Sequence, residues 1–210
     1  MEKSSAEATK QTGLIHNVSL SEEVSRPLVL LVHGKAGTCD VMRIFKSAFP
    51  DNCHFILPEA PLLDPIGGFS WWLEDEESKY LEAGQQLVSF VDNAIDHYSL
   101  QPKKIIAAGF SQGGACLSVL SQLAPDYLSA LAMLASFYVD ITDLSPSKYP
   151  DFFIAHGYAD KDVPYSQAVE LVSRLSAHKV KLSFIAEDVG HKLGTSGMKA
   201  LRSWAKMKSV

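Results

Sequence analysis

Cysteine is scarce in this 210-residue chain, which holds only Cys39, Cys53 and Cys116. The number is odd, the spacings are wide, and no C-x-x-C pair occurs. These features exclude a disulfide framework and a cysteine-rich zinc site. The three read as reduced thiols, which suggests a cytoplasmic protein. Positive charge is short as well: 19 Lys and Arg against 24 Asp and Glu leave a net charge of −5, with no basic run. Nucleic-acid binding needs clustered positive charge, so that class is excluded. No apolar run approaches the ~20 residues of a membrane span. Residues 1–7 lack the apolar core of a secretory signal. The phosphate-loop spacing G-x-x-x-x-G-K-[ST] is missing around Gly34-Lys35. Internal repeats and Pro/Gly/Ser-rich linkers are absent too. The chain therefore reads as one domain over 13–210, preceded by a flexible polar segment at 1–12.

What the sequence does contain is an alternation of two kinds of segment. Short apolar runs lie at 28–32, 53–57, 105–108, 130–134, 152–155 and 182–185. Most are apolar throughout, as expected of parallel strands buried on both faces. Between them, three- and four-residue spacing of apolar positions predicts helices over 76–98, 114–124, 165–177 and 197–206. Strand–helix alternation predicts an α/β domain with a largely parallel sheet. The acidic run Glu74-Asp75-Glu76-Glu77 reads as negative charge at the first turn of the 76–98 helix, where the helix dipole favours it. Residues 58–72 form the longest irregular stretch, rich in Pro and Gly and carrying three aromatics.

One motif carries chemistry. Gly109-Phe110-Ser111-Gln112-Gly113 fits G-x-S-x-G, with an apolar strand entering it and a small-residue helix leaving it. In such a turn the serine hydroxyl is lifted above the sheet. The next N–H, that of Gln112, lies at a helix N-terminus, where it can stabilise an oxyanion. A general base and its acid should follow Ser111 from neighbouring strand-end loops. Of the three later histidines, His178 ends a helix beside Lys179, and His156 ends a strand and reads as structural. His191 follows the 182–185 strand in a loop and is the expected base. Asp160 and Asp162 both follow the 152–155 strand. Asp162 stands just before Val163-Pro164, where a helix opens, and reads as a cap. Asp160 is the expected acid, and Asp188 is the more distant alternative. The strand at 28–32 runs into His33-Gly34-Lys35, and the N–H of Lys35 is the expected second oxyanion donor.

Together these residues resemble the phospholipase/carboxylesterase branch of the α/β-hydrolases, the group containing the acyl-protein thioesterases. The resemblance rests on Val32-His33-Gly34, Pro58-Glu59-Ala60-Pro61, Trp71-Trp72, the hexapeptide beginning at Gly109, and His156-Gly157 followed by Asp160 and Val163-Pro164. His191 closes the set, which spans about 27–205. The resemblance implies a single-domain α/β-hydrolase, with a twisted, largely parallel sheet and helices on both faces, and the compact chain leaves little room for a large lid. It places the acid on Asp160, in agreement with the loop argument. It also sets the loop carrying Phe69, Trp71 and Trp72 beside the acyl pocket. Phe137, just after the 130–134 strand, is a further pocket candidate. One departure stands out: the family commonly has an apolar residue and then Gly after His-Gly, where this chain has Lys35 and Ala36. The expected activity is a serine carboxylesterase acting on short- to medium-chain esters, or thioesters, through an acyl-enzyme. No cofactor, metal, nucleic acid or membrane insertion is expected. The alternatives are a lactone hydrolase of the dienelactone type and a non-catalytic ligand-binding module.

Overall fold

The uninterrupted apolar runs form the centre of a seven-stranded sheet among the described residues, 5–141 and 148–209 of the computed structural model. In chain order the elements are α1 (Ser5–Thr12), β1 (His16–Ser19), β2 (Leu28–Val32), and a 3-10 turn at Cys39–Met42 leading into α2 (Arg43–Lys46). There follow β3 (His54–Pro58), β4 (Leu62–Leu63), β5 (Phe69–Ser70), α3 (Glu77–His97), β6 (Ile105–Phe110) and α4 (Gln112–Leu123). The chain ends with β7 (Ala130–Leu134), β8 (Asp151–Gly157), α5 (Tyr165–Ala177), β9 (Leu182–Glu187) and α6 (Thr195–Lys208). The strand order is β1-β3-β2-β6-β7-β8-β9. Only β1 runs antiparallel to its neighbour; the remaining pairs in this sheet are parallel.

Period-two geometry explains why the central strands read as continuous apolar runs. Leu28, Leu30 and Val32 of β2 pack on the side of α3, α4 and α5, with Leu87, Phe90, Leu117 and Leu171. Val29 and Leu31 point the other way, towards Met42, Phe45, Leu201 and Trp204. Both faces are dry, so no polar alternation survives. Parallel strands send all their C-terminal ends to one edge. The chain winds from β2 outwards to β3 and then returns to place β6 on β2's other side. That reversal opens a crevice between the loops after β2 and β6, the usual ligand position in open α/β sheets.

Three expectations need correction. The 1–12 segment is helical from Ser5 to Thr12 and closes on Gly13 at φ +92, with Ala8 and Thr12 buried; residues 1–4 lie outside the described residues. Its composition carries no apolar stripe, so periodicity gave no signal. Asp162 does not cap α5: Pro164 occupies that position with no side-chain cap. The acidic run begins before its helix, which starts at Glu77, and this leaves Asp75 free for another role. The edge strand β1 and the small β4–β5 hairpin are too short for their alternation to be read in sequence.

Candidate active site

β6 runs directly into Ser111, whose φ of +50 and ψ of −123 are costly for a residue with a Cβ. Four hydrogen bonds hold it there. The Ser111 N–H donates to Leu134 O at 2.9 Å. Its carbonyl accepts from the N–H groups of Gly114 (3.0 Å) and Ala115 (3.2 Å) and from Ser136 Oγ (2.7 Å). The flanking glycines are required by close approach: a Cβ on Gly113 would strike the Val32 carbonyl, and one on Gly109 would strike the Gly113–Gly114 backbone. Gln112 opens α4, so its N–H has no partner within the helix.

β8 delivers the acid loop. Asp160 is buried, and its Oδ1 accepts the backbone N–H groups of Asp162 (3.0 Å) and Val163 (2.9 Å). Its Oδ2 lies 2.8 Å from His191 Nδ1. Burial pushes this carboxyl up, but the His191 hydrogen bond and the two backbone donors outweigh it, so the acid sits below the usual Asp range. His156 lies beneath, its Nε2–H donating to Val163 O at 2.9 Å and standing 3.4 Å from Asp160 Oδ2. It therefore props the loop. The His191 ring rests 4.9 Å from that of Phe110, the residue before the serine. Asp162 serves Asp160 through its N–H, while its own carboxylate is exposed.

β2 leads into the loop on which the second oxyanion donor is expected. His33 is fully buried, and its Nδ1–H donates to Gly34 O at 2.7 Å while Nε2 accepts the Ala60 N–H at 2.9 Å. Those roles require the neutral ring, and burial lowers its pKa to match. Ala36 sits at φ +56, and its N–H donates to Ser70 Oγ at 3.0 Å. The Ser70 hydroxyl in turn donates to Asp64 Oδ2 at 2.6 Å, a bond that lowers the Asp64 pKa. The turn is thus clamped from β5, with reciprocal bonds between Gly37 and Phe69 (2.8 and 3.2 Å).

These loops enclose a cavity of about 430 Å³, with Ser111, Gln112, His191 and Lys35 among its lining residues. Trp72 and Phe137 stand in its walls, with Ile66 near its mouth. Phe69 and Trp71 do not line it: Trp71 is buried, its Nε1–H donating to His33 O at 2.9 Å, and Phe69 packs against the core behind the cavity. The Gln112 side chain ties the wall to the strand-to-helix turn, or elbow, at Ser111. Its Oε1 accepts the Trp71 N–H and its Nε2 donates to Trp72 O, both at 2.9 Å. Asp75, also in the lining, accepts from Trp72 Nε1 at 3.2 Å.

A family model described as phospholipase/carboxylesterase matches residues 15–208. The chain belongs to the phospholipase/carboxylesterase family. Solved structures agree on the fold of this family member. A Bacillus cereus carboxylesterase superposes with a TM-score of 0.87 at 17% identity, covering 98% of this chain and 100% of that one. Esterase PE8 gives 0.79 at 20% identity, covering 94% and 98%. Arabidopsis thaliana SOBER1 gives 0.71 at 23% identity, covering 88% and 99%. No curated protein matches the sequence. The family assignment makes the chain a hydrolase of the carboxylesterase type with the α/β-hydrolase fold.

Ligand atoms of Asp160, Asp162 and His191 lie within 4.8 Å of one another, close enough to gather a metal ion. Two of those residues are otherwise engaged, His191 Nδ1 with Asp160 Oδ2 and Asp160 Oδ1 with two backbone donors. The donor set therefore fits a hydrogen-bonded acid–base pair better than a metal centre. Sequence reasoning missed the Gln112 carboxamide, the Asp64–Ser70 clamp and Asp75. Gln112 lay inside the motif, but its partners are about 40 residues away. Nothing local marks them.

Proposed function

We propose that this family member is a serine carboxylesterase, with Ser111 as nucleophile, His191 as general base and Asp160 as its orienting acid. The observation that carries the reading is the 2.8 Å Asp160–His191 bond beside a cavity lined by both His191 and Ser111. With Nδ1–H donated to Asp160, Nε2 is the ring nitrogen left to take the Ser111 proton. Ser111 Oγ attacks the ester carbonyl. The N–H groups of Gln112 and Lys35 receive the oxyanion, and the alcohol leaves with the proton from His191. Water, deprotonated by the same imidazole, then releases the acid and restores Ser111. Nothing in this sequence of steps calls on a cofactor.

The cavity volume lies near the small end of ligand pockets, which supports short- to medium-chain acyl groups. Thioesters, and the lactones of the alternative reading, meet the same carbonyl chemistry and belong in the substrate panel beside simple esters. Three buried free thiols favour a reducing compartment such as the cytoplasm. Among the described residues, no helix is long and apolar enough to cross a membrane.

A fluorophosphonate probe tests the mechanism. Wild type should form an adduct on Ser111, while Ser111→Ala should form none and lose about 10³- to 10⁶-fold in kcat. A folded wild type that resists the probe would return the chain to the binding-module reading.

A further inference from the structure

We propose that two copies of this chain associate through β9, joining their sheets into one across a two-fold axis. β9 is the last strand of the sheet, and among the described residues it pairs only with β8. The carbonyls of Lys181 and Glu187 accept from Phe152 and Tyr158 N–H at 2.8 Å, so the odd-numbered residues turn their backbone groups towards β8. Leu182, Phe184 and Ala186 therefore aim theirs outwards. Natural sheets blunt such an edge with proline, a bulge or an inward charge. β9 reads Leu-Ser-Phe-Ile-Ala-Glu and has none of these in its middle.

The side chains specify the register. Outward backbone groups belong to even residues, so hydrogen-bonded pairs across the axis must join even to even. Placing Phe184 opposite Phe184 of the second copy sets Leu182 against Ala186 and Lys181 against Glu187. The strand is basic at its start (Lys179, Lys181) and acidic at its end (Glu187, Asp188), so antiparallel self-pairing sets each basic end beside the other copy's acidic end, where the Glu187 carboxylate also receives the N–H groups of Gly194, Ser196 and Gly197. A parallel arrangement would not. Phe184 is 37% exposed and stacks on Tyr165 of α5, itself against Tyr158, which is 57% exposed. The axis would bury this aromatic patch against its own copy. Because α5 lies over β8 and β9, two strand spacings of about 4.8 Å each would set α5 and its counterpart about 10 Å apart. That is the normal distance of packed helices. A shallow groove along α5, lined by Ser166, Val169 and Ser173 together with Glu170 and Arg174, leaves room for such an approach.

The experiment is light scattering on the full chain over a concentration series, with circular dichroism confirming that each variant folds. Wild type should reach twice the 23.0 kDa monomer mass. Phe184→Lys and Lys181→Glu should each shift the midpoint of association to at least tenfold higher concentration. Phe184→Cys should give a covalent dimer on oxidation, since the other thiols are buried. A wild type that stays monomeric at 100-fold above the enzyme's assay concentration overturns the proposal. So does a dimer indifferent to both substitutions. Neither result bears on the Ser111 chemistry, which lies wholly within one copy.

Discussion

The same dipeptide, His-Gly, follows β2 and closes β8, and the loops launched there are built in opposite ways. After His33-Gly34 the oxyanion loop is held from outside: Ser70 and Asp64 secure Ala36, and the Ala60 N–H occupies the histidine's far nitrogen. After His156-Gly157 the acid loop is braced mainly by its own residues: Asp160 bonds the N–H groups two and three residues on, and His156 bonds the carbonyl of Val163 in the same turn, with Tyr158 and Ala159 N–H tied outside to Glu187 and Val189 O. A self-contained loop can be read from its own residues. A loop held by distant partners cannot.

The comparison can be broken at several points. The largest effect should come from Asp160→Asn, which keeps the shape but loses the acceptor that fixes His191; kcat should fall about 10⁴-fold. Asp162→Asn should stay within a few-fold, because only its N–H is used. Steady-state kinetics on one ester settles both, and a reversed order would move the acid to Asp162.

On the other loop, Ser70→Ala removes the acceptor of the Ala36 N–H and strands a buried Asp64 oxygen. It should cost about 1–3 kcal/mol of stability. It should also cost roughly 10- to 100-fold in kcat, by loosening the turn that presents the Lys35 N–H. An unchanged kcat with lowered Tm would show that the clamp supports the fold and not the donor.

Acid should soften the two loops in order. His33 is depressed by burial, so its unfolded form binds protons first. Its contribution to stability is complete above about pH 6.5, the reference histidine value, and is lost as pH falls below it. His16, also depressed by burial, adds to the same window. Asp160 is depressed too, so its contribution is complete above about pH 3.9 and is lost only in stronger acid. Tm recorded from pH 8 to 3 should therefore fall in two stages, and a single step near pH 4 would contradict the assignment of a neutral His33.

The smallest effect is expected at Ala36, which adopts a left-handed conformation where glycine is unstrained. Relief of about 1–2 kcal/mol of strain is set against the 0.5–1 kcal/mol entropic cost of glycine. Ala36→Gly should therefore raise stability by up to about 1.5 kcal/mol in a denaturant titration, with kcat little changed.

The same contrast explains what could be read in advance. The parallel sheet and most helix positions followed from apolar periodicity, because burial on both faces leaves an unmistakable pattern at 28–32 and 130–134. Ser111, Asp160 and His191 could be nominated because each stands at a strand end, and strand ends share one edge. The structure sets Ser111 and His191 in the lining of one cavity, with the buried Asp160 bonded to His191. The wall was harder. Trp72 and Phe137 face the cavity while Trp71 and Phe69 turn away, a choice made by the Gln112 carboxamide and by the Gly37–Phe69 pairing, and neither has a local signature. Asp162 was misread as a cap because Pro164 resembled a first helical residue, whereas it precedes the helix.

From Gln112 to Gln122 every residue of α4 is buried. The helix behind the serine thus has no solvent-facing amide through which to fray. Its backbone deuterons should exchange only when the whole domain opens, whereas segments such as the β4–β5 hairpin, with Leu63 and Ile66 exposed, should exchange through local openings. The turn at Ser111 and the Trp72 wall tied to it would then be among the last features to dissolve as the protein is stressed, and the Ile66 side of the cavity among the first. Heat or denaturant should erode selectivity among esters before it erodes reactivity towards the smallest of them.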